Sequence, residues 1–164
     1  MKRLYLVRHA KSSWANGQQA DFDRPLNSRG KKDAPEMGEH LRMRRAVTLD
    51  LVLCSPAKRA KATAKRLLKE LQYPIESVVW DERIYSGNAT DLLTLVCGVD
   101  YHFKSVMVIG HNPYMTDIVR FLSGEDIDEM PTCGVFGLAF EVDVWSAIKN
   151  GRGLKLFYNV PKQI

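Results

Sequence analysis

Cysteine is scarce in this chain, and the few cysteines present form no recognisable pattern. The 164 residues include three of them, Cys54, Cys97 and Cys133, which are widely spaced. The lack of any CxxC pair argues against a zinc knuckle, and the odd number argues against a disulfide framework. Because each cysteine has apolar neighbours, we expect three reduced thiols in the core.

Long apolar runs and dense basic runs are also absent. No stretch is long enough to span a membrane, and the first apolar run, residues 4–7, is too short for a secretory signal. We therefore expect a cytoplasmic protein with no membrane partner. No Lys/Arg run carries interleaved aromatic residues, so nucleic-acid binding has little support. The net charge of +5 fits either a solvated basic surface or an anionic partner such as a phosphate.

The rest of the composition is that of a folded globular chain. Apolar residues make up 45% of it and charged residues 26%, which is sufficient for a core. The length fits one domain over residues 1–164. Strand and helix patterns alternate, which is typical of a mostly parallel sheet covered by helices on both faces. We predict a three-layer α/β/α sandwich with antiparallel strands added at one edge.

The predicted elements follow from the periodicity of apolar residues. The run at 4–7 is short and continuous, as in a central strand buried on both faces. The other predicted strands cover 50–54, 78–80, 105–109, 134–142 and 153–160. The predicted helices cover 28–45, 57–71, 90–97 and 113–122, with a helical turn at 144–149. A polar loop is expected from 11 to 27.

Reactive side chains follow three of these strands, where ligands of open α/β sheets bind. Arg8 and His9 follow the first strand, Arg59 comes soon after the second, and His111 follows the strand at 105–109. Taken singly, each has an ordinary structural interpretation, as a solvated arginine or a satisfied core histidine. Together, two arginines and two histidines at one rim describe a pocket for a dianionic phosphoryl group.

Two helix N-termini are predicted at the same rim. Ser55 and Asn112 are expected as N-caps, each followed by a proline as the first helical residue. A bound anion would offset the unfavourable position of Arg59 near the positive end of a helix dipole. Zinc fits less well, because the histidines lack a third ligand at a known spacing and the arginines repel a cation. We expect neither a metal nor a cofactor.

With these motifs the chain resembles the histidine phosphatase superfamily, also called phosphoglycerate mutase-like. Within it, the chain is most similar to the small SixA-like phosphohistidine phosphatases. The resemblance rests on RH, SPxxRA and GHNP elements in that order and covers nearly the whole chain. The similar segments are 4–14 (LYLVRHAKSSW), 21–27 (DFDRPLN), 29–30 (RG), 55–60 (SPAKRA) with Thr63, 108–113 (VIGHNP) and 131–132 (PT).

The resemblance implies a phosphoglycerate mutase-like domain without a large cap insertion, and it implies roles for site residues. His9 would be the nucleophile that becomes phosphorylated. Arg8, Arg59 and His111 would bind the phosphoryl oxygens, and Ser12 would be a further substrate contact. A neutral His9 is needed for attack, and the two arginines are expected to lower its pKa. An acceptor is expected to hold one ring nitrogen so that the other faces phosphorus.

The general acid is the least defined part of the implied site. Larger members of the superfamily place an acidic proton donor where Ser86 stands in this chain. Asp21, Asp23 and Glu82 are the remaining candidates, although loop-ordering or solvated carboxylates would look the same in the sequence. A weak or missing acid would favour phosphohistidine as the substrate, because a protonated imidazole leaves more readily than an alkoxide.

Three functions remain open at this stage. The first is removal of phosphate from phosphohistidine in a protein, through a phosphohistidine intermediate on the enzyme. The second is hydrolysis of small phosphorylated metabolites. The third is an inactive phosphate-binding regulatory module, against which the intact set of Arg8, His9, Arg59 and His111 argues.

Overall fold

A computed structural model of the chain describes residues 1–149 and 151–164, and its centre is a six-stranded sheet. The strands are β1 (Lys2–Arg8), β2 (Leu51–Cys54), β3 (Val79–Trp80), β4 (Ser105–Gly110), β5 (Val135–Phe140) and β6 (Leu154–Asn159). Their order across the sheet is β3-β2-β4-β1-β5-β6. The first four are parallel, whereas β5 and β6 are antiparallel additions beside β1. The predicted mixed sheet is therefore confirmed.

Helices cover both faces of this sheet. They are α1 (Ser28–Arg45), α2 (Lys58–Glu70), α3 (Arg83–Ser86), α4 (Ala89–Cys97) and α5 (Tyr114–Ser123). Side chains of β1 alternate between the two faces, as the pleat of a strand requires. Tyr5 and Val7 pack in the core under α1 and α2, and Leu4 and Leu6 pack in the core under α4 and α5. This arrangement confirms the predicted three-layer sandwich.

Every element predicted from periodicity is present, with ends that agree to within about two residues, and α3 is the one α-helix of the described chain that was not predicted. Two predicted helix starts are wrong in detail. α2 begins at Lys58 with Ala57 as its N-cap, so Ser55 does not cap it. The Ser55 hydroxyl instead accepts from the Ala57 N–H at 3.2 Å, which leaves its proton free to face another partner.

The second wrong start is that of α5, which is displaced by one residue. Pro113 is the N-cap rather than the first helical residue, and the helix begins at Tyr114. Asn112 still satisfies a free donor of the first turn, because its side-chain oxygen accepts from the Thr116 N–H at 3.2 Å. Asn112 therefore supports the start of α5 from the position before the N-cap and is not the N-cap itself.

The three cysteines are free thiols, with Cys54 and Cys133 buried and Cys97 half-buried. Burial raises the pKa of each of these thiols. None of the helices in the two described ranges combines the length and the apolar character that crossing a bilayer requires.

Gly30 fixes the loop that follows β1 against the start of α1. The Asn27 side chain caps α1 by accepting from the Gly30 N–H at 2.9 Å, and the Asn27 N–H donates to the Lys11 carbonyl at 3.0 Å. A Cβ at residue 30 would lie 2.2 Å from that carbonyl oxygen, which is far inside van der Waals contact. Only glycine lets α1 approach the backbone just after His9 so closely.

We expect Gly30→Ala to lower the free energy of unfolding by about 2 kcal/mol, because overpacking against backbone exceeds the gain in helix propensity. Urea denaturation followed by circular dichroism measures this loss. Gly17→Ala is the matched control, since a Cβ there meets nothing within 4 Å. Its stability should change by less than about 0.5 kcal/mol. Equal stability of the two variants would contradict the packing argument.

Candidate active site

The ends of three neighbouring parallel strands meet at one edge of the sheet. β2, β4 and β1 lie side by side, and their carboxyl ends are followed by Ser55, His111 and His9. A cleft of about 550 Å³ opens at this edge. It is lined by Arg8, His9, Lys11, Ser12, Trp14, Asp21, Arg24, Arg59, Tyr85, His111, Asn112 and Thr132. The four residues singled out first in the sequence are therefore brought together.

His9 is held in one orientation and one tautomer. Its ring is buried, with 6% of the residue exposed, and Nδ1 lies 2.7 Å from the carbonyl oxygen of Ala10. Because a carbonyl can only accept, Nδ1 carries the proton and Nε2 keeps its lone pair. The Ala10 N–H donates to Thr63 Oγ1 at 2.9 Å, and that hydroxyl donates to the Arg59 carbonyl at 2.8 Å. The acceptor expected beside the ring is thus the next residue in the chain.

The pKa of His9 is lowered to about 3. Burial is the largest cause, and the neighbouring His111 is the second. Arg59 and Arg8 lower the pKa further, while the hydrogen bond to the Ala10 carbonyl opposes them. The expected direction is therefore present, although desolvation contributes more than the two arginines. A neutral imidazole follows at physiological pH, with Nε2 able to act as a nucleophile.

His111 faces His9 across the cleft, with ring centroids 5.0 Å apart. Its Nε2 lies 2.7 Å from Ser55 Oγ, and its Nδ1 is buried without a hydrogen-bond partner in the described chain. Since the Ser55 oxygen already accepts from a backbone N–H, its hydroxyl can donate to Nε2. That arrangement leaves Nδ1 as a donor for a ligand. Burial first, and then Arg59, lower the pKa of His111 to about 4.

Arg59 is tied to both His9 and Asp21. Its Nε donates to His9 Nε2 at 3.4 Å, while its Nη1 and Nη2 donate to the Asp21 carbonyl and carboxylate at 2.7 and 3.0 Å. The same carboxylate accepts from Tyr85 Oη at 2.9 Å and from Arg24 Nε at 3.2 Å. Burial alone would raise the pKa of Asp21, but the hydrogen bonds from Tyr85 and the two arginines outweigh it and lower the pKa. Asp21 is therefore ionised near neutral pH.

Arg8 keeps part of its donor capacity unused. Its Nη1 donates to the Met130 carbonyl at 2.7 Å and lies 3.9 Å from the Glu129 carboxylate. Its Nε is buried with no partner among the residues that the structure describes. An unpartnered guanidinium N–H beside an open cleft can satisfy an incoming oxygen atom.

Sequence reasoning did not single out Arg24 or Tyr85, both of which line the cleft. Arg24 is buried, stacks 3.5 Å from the centre of the Trp14 ring and donates to Ser12 Oγ at 2.8 Å. Ser12, a predicted substrate contact, therefore lines the cleft with its hydroxyl already engaged. The only indication of Arg24 in the sequence was its position in the DFDRPLN segment, where its charge had no predicted partner. No sequence pattern indicated Tyr85, because its position in the cleft depends on the path of a segment that is distant in the sequence.

The three candidates for the proton donor differ in position and exposure. Asp21 lines the cleft, whereas Asp23 and Glu82 are exposed and are absent from its lining. Ser86, which the resemblance placed at the position of the proton donor, donates its hydroxyl to the Glu82 carbonyl at 3.1 Å and does not line the cleft either. The residue before it, Tyr85, faces the site instead. Asp21 is thus the one carboxylate in the cleft lining of the described chain.

The arrangement suits an anion with several oxygen atoms. Four cationic side chains line the cleft against a single carboxylate, so the site carries a positive excess. Arginine donors match phosphoryl oxygens in pairs and keep their charge at any physiological pH. Within residues 1–149 and 151–164, no group of three or more His, Cys, Asp or Glu side chains is placed to hold a metal ion.

Comparisons with known proteins agree with this geometry. Residues 4–83 match the model of the histidine phosphatase superfamily, branch 1. An uncharacterised protein of Mycobacterium tuberculosis is 28% identical, over 95% of this chain and all of that protein. A structure assigned as the phosphohistidine phosphatase SixA of Agrobacterium tumefaciens superposes with a TM-score of 0.81 at 28% identity, covering 98% of this chain and 99% of that one.

More distant structures share the fold. A mycobacterial glucosyl-3-phosphoglycerate phosphatase superposes with a TM-score of 0.71 at 16% identity, covering 97% of this chain and 99% of that one. Together with the SixA structure, such matches confirm the predicted phosphoglycerate mutase-like fold class.

Nuclear magnetic resonance can test the protonation of the site. We expect long-range ¹H–¹⁵N spectra to show His9 as the Nδ1–H tautomer. We expect neither His9 nor His111 to titrate between about pH 5.5 and 8, because burial lowers the pKa of both well below the ordinary value of about 6.5. In denaturant, His9 and His111 should both titrate near that ordinary value. A His9 midpoint near about 6.5 in the folded protein would contradict the assignment.

Proposed function

We propose that the chain is a phosphatase of the SixA-like branch of the histidine phosphatase superfamily and that it removes phosphate from phosphohistidine in proteins. The observation that carries the proposal is the cleft itself. It combines a neutral His9 with four cationic side chains, while the single carboxylate among its described lining residues is engaged by arginines. We further propose that residues 1–164 act as one catalytic domain without a large cap.

The proposed reaction has two displacements at phosphorus. His9 Nε2 attacks the phosphoryl group, the bond from phosphorus to the substrate imidazole breaks, and that imidazole takes up a proton from solvent. Water then attacks the phosphohistidine on the enzyme, the bond from phosphorus to Nε2 breaks, and phosphate leaves with His9 restored. Arg8, Arg59 and His111 would bind the equatorial oxygens, whose negative charge they offset in the transition state. Ser12 would support this set through Arg24.

The state of Asp21 favours a substrate with a good leaving group. An ionised carboxylate that already accepts from Tyr85, Arg24 and Arg59 has no proton to give in the free enzyme. An alkoxide leaving group needs a positioned acid, whereas an imidazole can take its proton from solvent. The exposed positions of Asp23 and Glu82 offer no replacement for Asp21. A phosphohistidine presented on a protein surface therefore fits the site better than an alkyl phosphate.

Hydrolysis of a small phosphorylated metabolite is the second candidate function. Its support is the shared fold with a phosphatase of glucosyl-3-phosphoglycerate, together with a cleft wide enough for a small molecule. For this candidate, Asp21 would have to acquire a proton when the substrate displaces it from Arg59. The two candidates therefore differ in whether Asp21 donates a proton.

A panel of substrates separates these candidates. We expect kcat/KM for a phosphohistidine peptide to exceed that for glycerol phosphate by about 10²- to 10⁴-fold, the usual contribution of general acid catalysis. Asp21→Asn should lower both values by a similar factor and keep their ratio, because the lost group positions Arg59 without donating a proton. Asp23→Asn, outside the cleft, is the matched control and should leave both values unchanged.

Two results would overturn this proposal. One is equal or faster hydrolysis of glycerol phosphate by the unaltered enzyme. The other is a selective loss of ester hydrolysis in Asp21→Asn, which would identify Asp21 as the proton donor and favour the metabolite phosphatase.

A further inference from the structure

A second cavity adjoins the cleft and shares part of its wall. This side cavity has a volume of about 270 Å³ and is lined by Arg8, Lys11, Arg29, Pro131, Thr132, Val160, Pro161 and Lys162. Arg8, Lys11 and Thr132 also line the main cleft. A molecule bound through Arg8 in the cleft can therefore extend past the same side chain into the side cavity.

The lining of the side cavity is basic and contains no carboxylate among the residues that the structure describes. Two of its four cations have acidic neighbours outside the cavity. Arg29 Nε lies 3.4 Å from the Asp33 carboxylate, and Arg8 Nη1 lies 3.9 Å from that of Glu129. For Lys11 and Lys162, no carboxylate oxygen of the described residues lies within 4.0 Å. Among the described residues, neither lysine therefore has an ion-pair partner that an incoming anion would have to displace.

The cations of the side cavity are placed by separate, well-anchored parts of the fold. Lys11 belongs to the loop that Gly30 packs against, and its carbonyl accepts from the Asn27 N–H at 3.0 Å. Arg29 lies in the first turn of α1 and donates to Thr132 Oγ1 at 3.4 Å. Lys162 lies in a short helical turn after β6. Converging cations from three parts of the chain form a recess suited to an anion, because like charges held together are relieved by a counter-charge.

We propose that the side cavity is a second anion subsite, which binds a carboxylate or phosphate group carried by the substrate beside the phosphoryl group under attack. This inference deepens the proposed phosphatase function and rests on it. In a protein substrate, the second anion would be an acidic side chain next to the phosphohistidine. In a small molecule, it would be a carboxylate or second phosphate on the same carbon skeleton. Arg8 is the boundary between the two anions and contacts both.

Inhibition measurements test the subsite without any phosphohistidine substrate. Hydrolysis of p-nitrophenyl phosphate is followed in the presence of methylphosphonate, which carries one anionic group, or of phosphonoacetate, which adds a carboxylate. We expect phosphonoacetate to bind about three- to tenfold more tightly, as one or two partly exposed charge pairs allow. Lys162→Gln should reduce this advantage, and Arg29→Gln/Lys162→Gln should abolish it, with inhibition by methylphosphonate unchanged.

The matched control is Lys65→Gln, an exposed lysine of α2 that lines neither cavity. This variant lowers the net charge by the same amount as Lys162→Gln and should keep the full advantage of phosphonoacetate. Thermal unfolding confirms that each variant is folded. Equal binding of the two inhibitors by the unaltered protein would overturn the subsite. So would an advantage that survives in the double variant or falls equally in Lys65→Gln.

Peptides identify the source of the second anion. Two phosphohistidine peptides that differ only by Glu or Gln next to the phosphohistidine are compared. A Glu preference of about three- to tenfold in kcat/KM, lost in the double variant, supports an acidic protein substrate. An advantage of phosphonoacetate without a peptide preference supports the subsite and assigns it to a small carboxylated substrate. Failure to cleave either peptide overturns the proposed function, while the inhibitors still decide the subsite.

Discussion

The His9 ring donates its Nδ1 proton to the carbonyl oxygen of the next residue at 2.7 Å, and the chemistry of the site depends on this contact. It leaves the lone pair on Nε2, which Arg59 faces at 3.4 Å. Thr63 holds the same short segment from α2, since it bonds both the Ala10 N–H and the Arg59 carbonyl. One threonine hydroxyl thus links the placement of the candidate nucleophile to that of the arginine beside it.

Charge in the cleft is balanced in part by one carboxylate, that of Asp21. The Asp21 carboxylate bridges Arg24, Arg59 and Tyr85. The side chain of Asp21 is more than half exposed at the mouth of the cleft. Without it, the buried guanidinium groups of Arg24 and Arg59 would both lose an anionic partner, which is costly in a site of low dielectric constant. A dianion that enters the cleft would add to that compensation. The same arginines therefore take part in binding the anion and in the ion pairs that stabilise the free enzyme.

The sequence predicted the parts of the site that depend on strand ends, and it missed the parts that depend on loops. Apolar runs located β1, β2 and β4, and the expected meeting of His9, Arg59 and His111 rested on the predicted α/β sheet, whose ligands bind at the carboxyl ends of the strands. Tyr85 bonds Asp21 across 64 residues, and no local pattern encodes such a pairing. The prediction that Ser55 caps α2 was wrong for a related reason. The Ser55 hydroxyl lies 2.7 Å from Nε2 of His111, a residue that is far away in the sequence.

Direct detection of phosphate on His9 tests the central claim most closely. The protein is mixed with a ³²P-labelled phosphohistidine peptide, quenched rapidly in base and mapped by mass spectrometry. We predict acid-labile, base-stable phosphate on His9 of the unaltered protein and of His102→Ala, an exposed histidine outside the cleft. His9→Ala should show neither label nor turnover. An unlabelled wild type together with full turnover by His9→Ala would contradict the account.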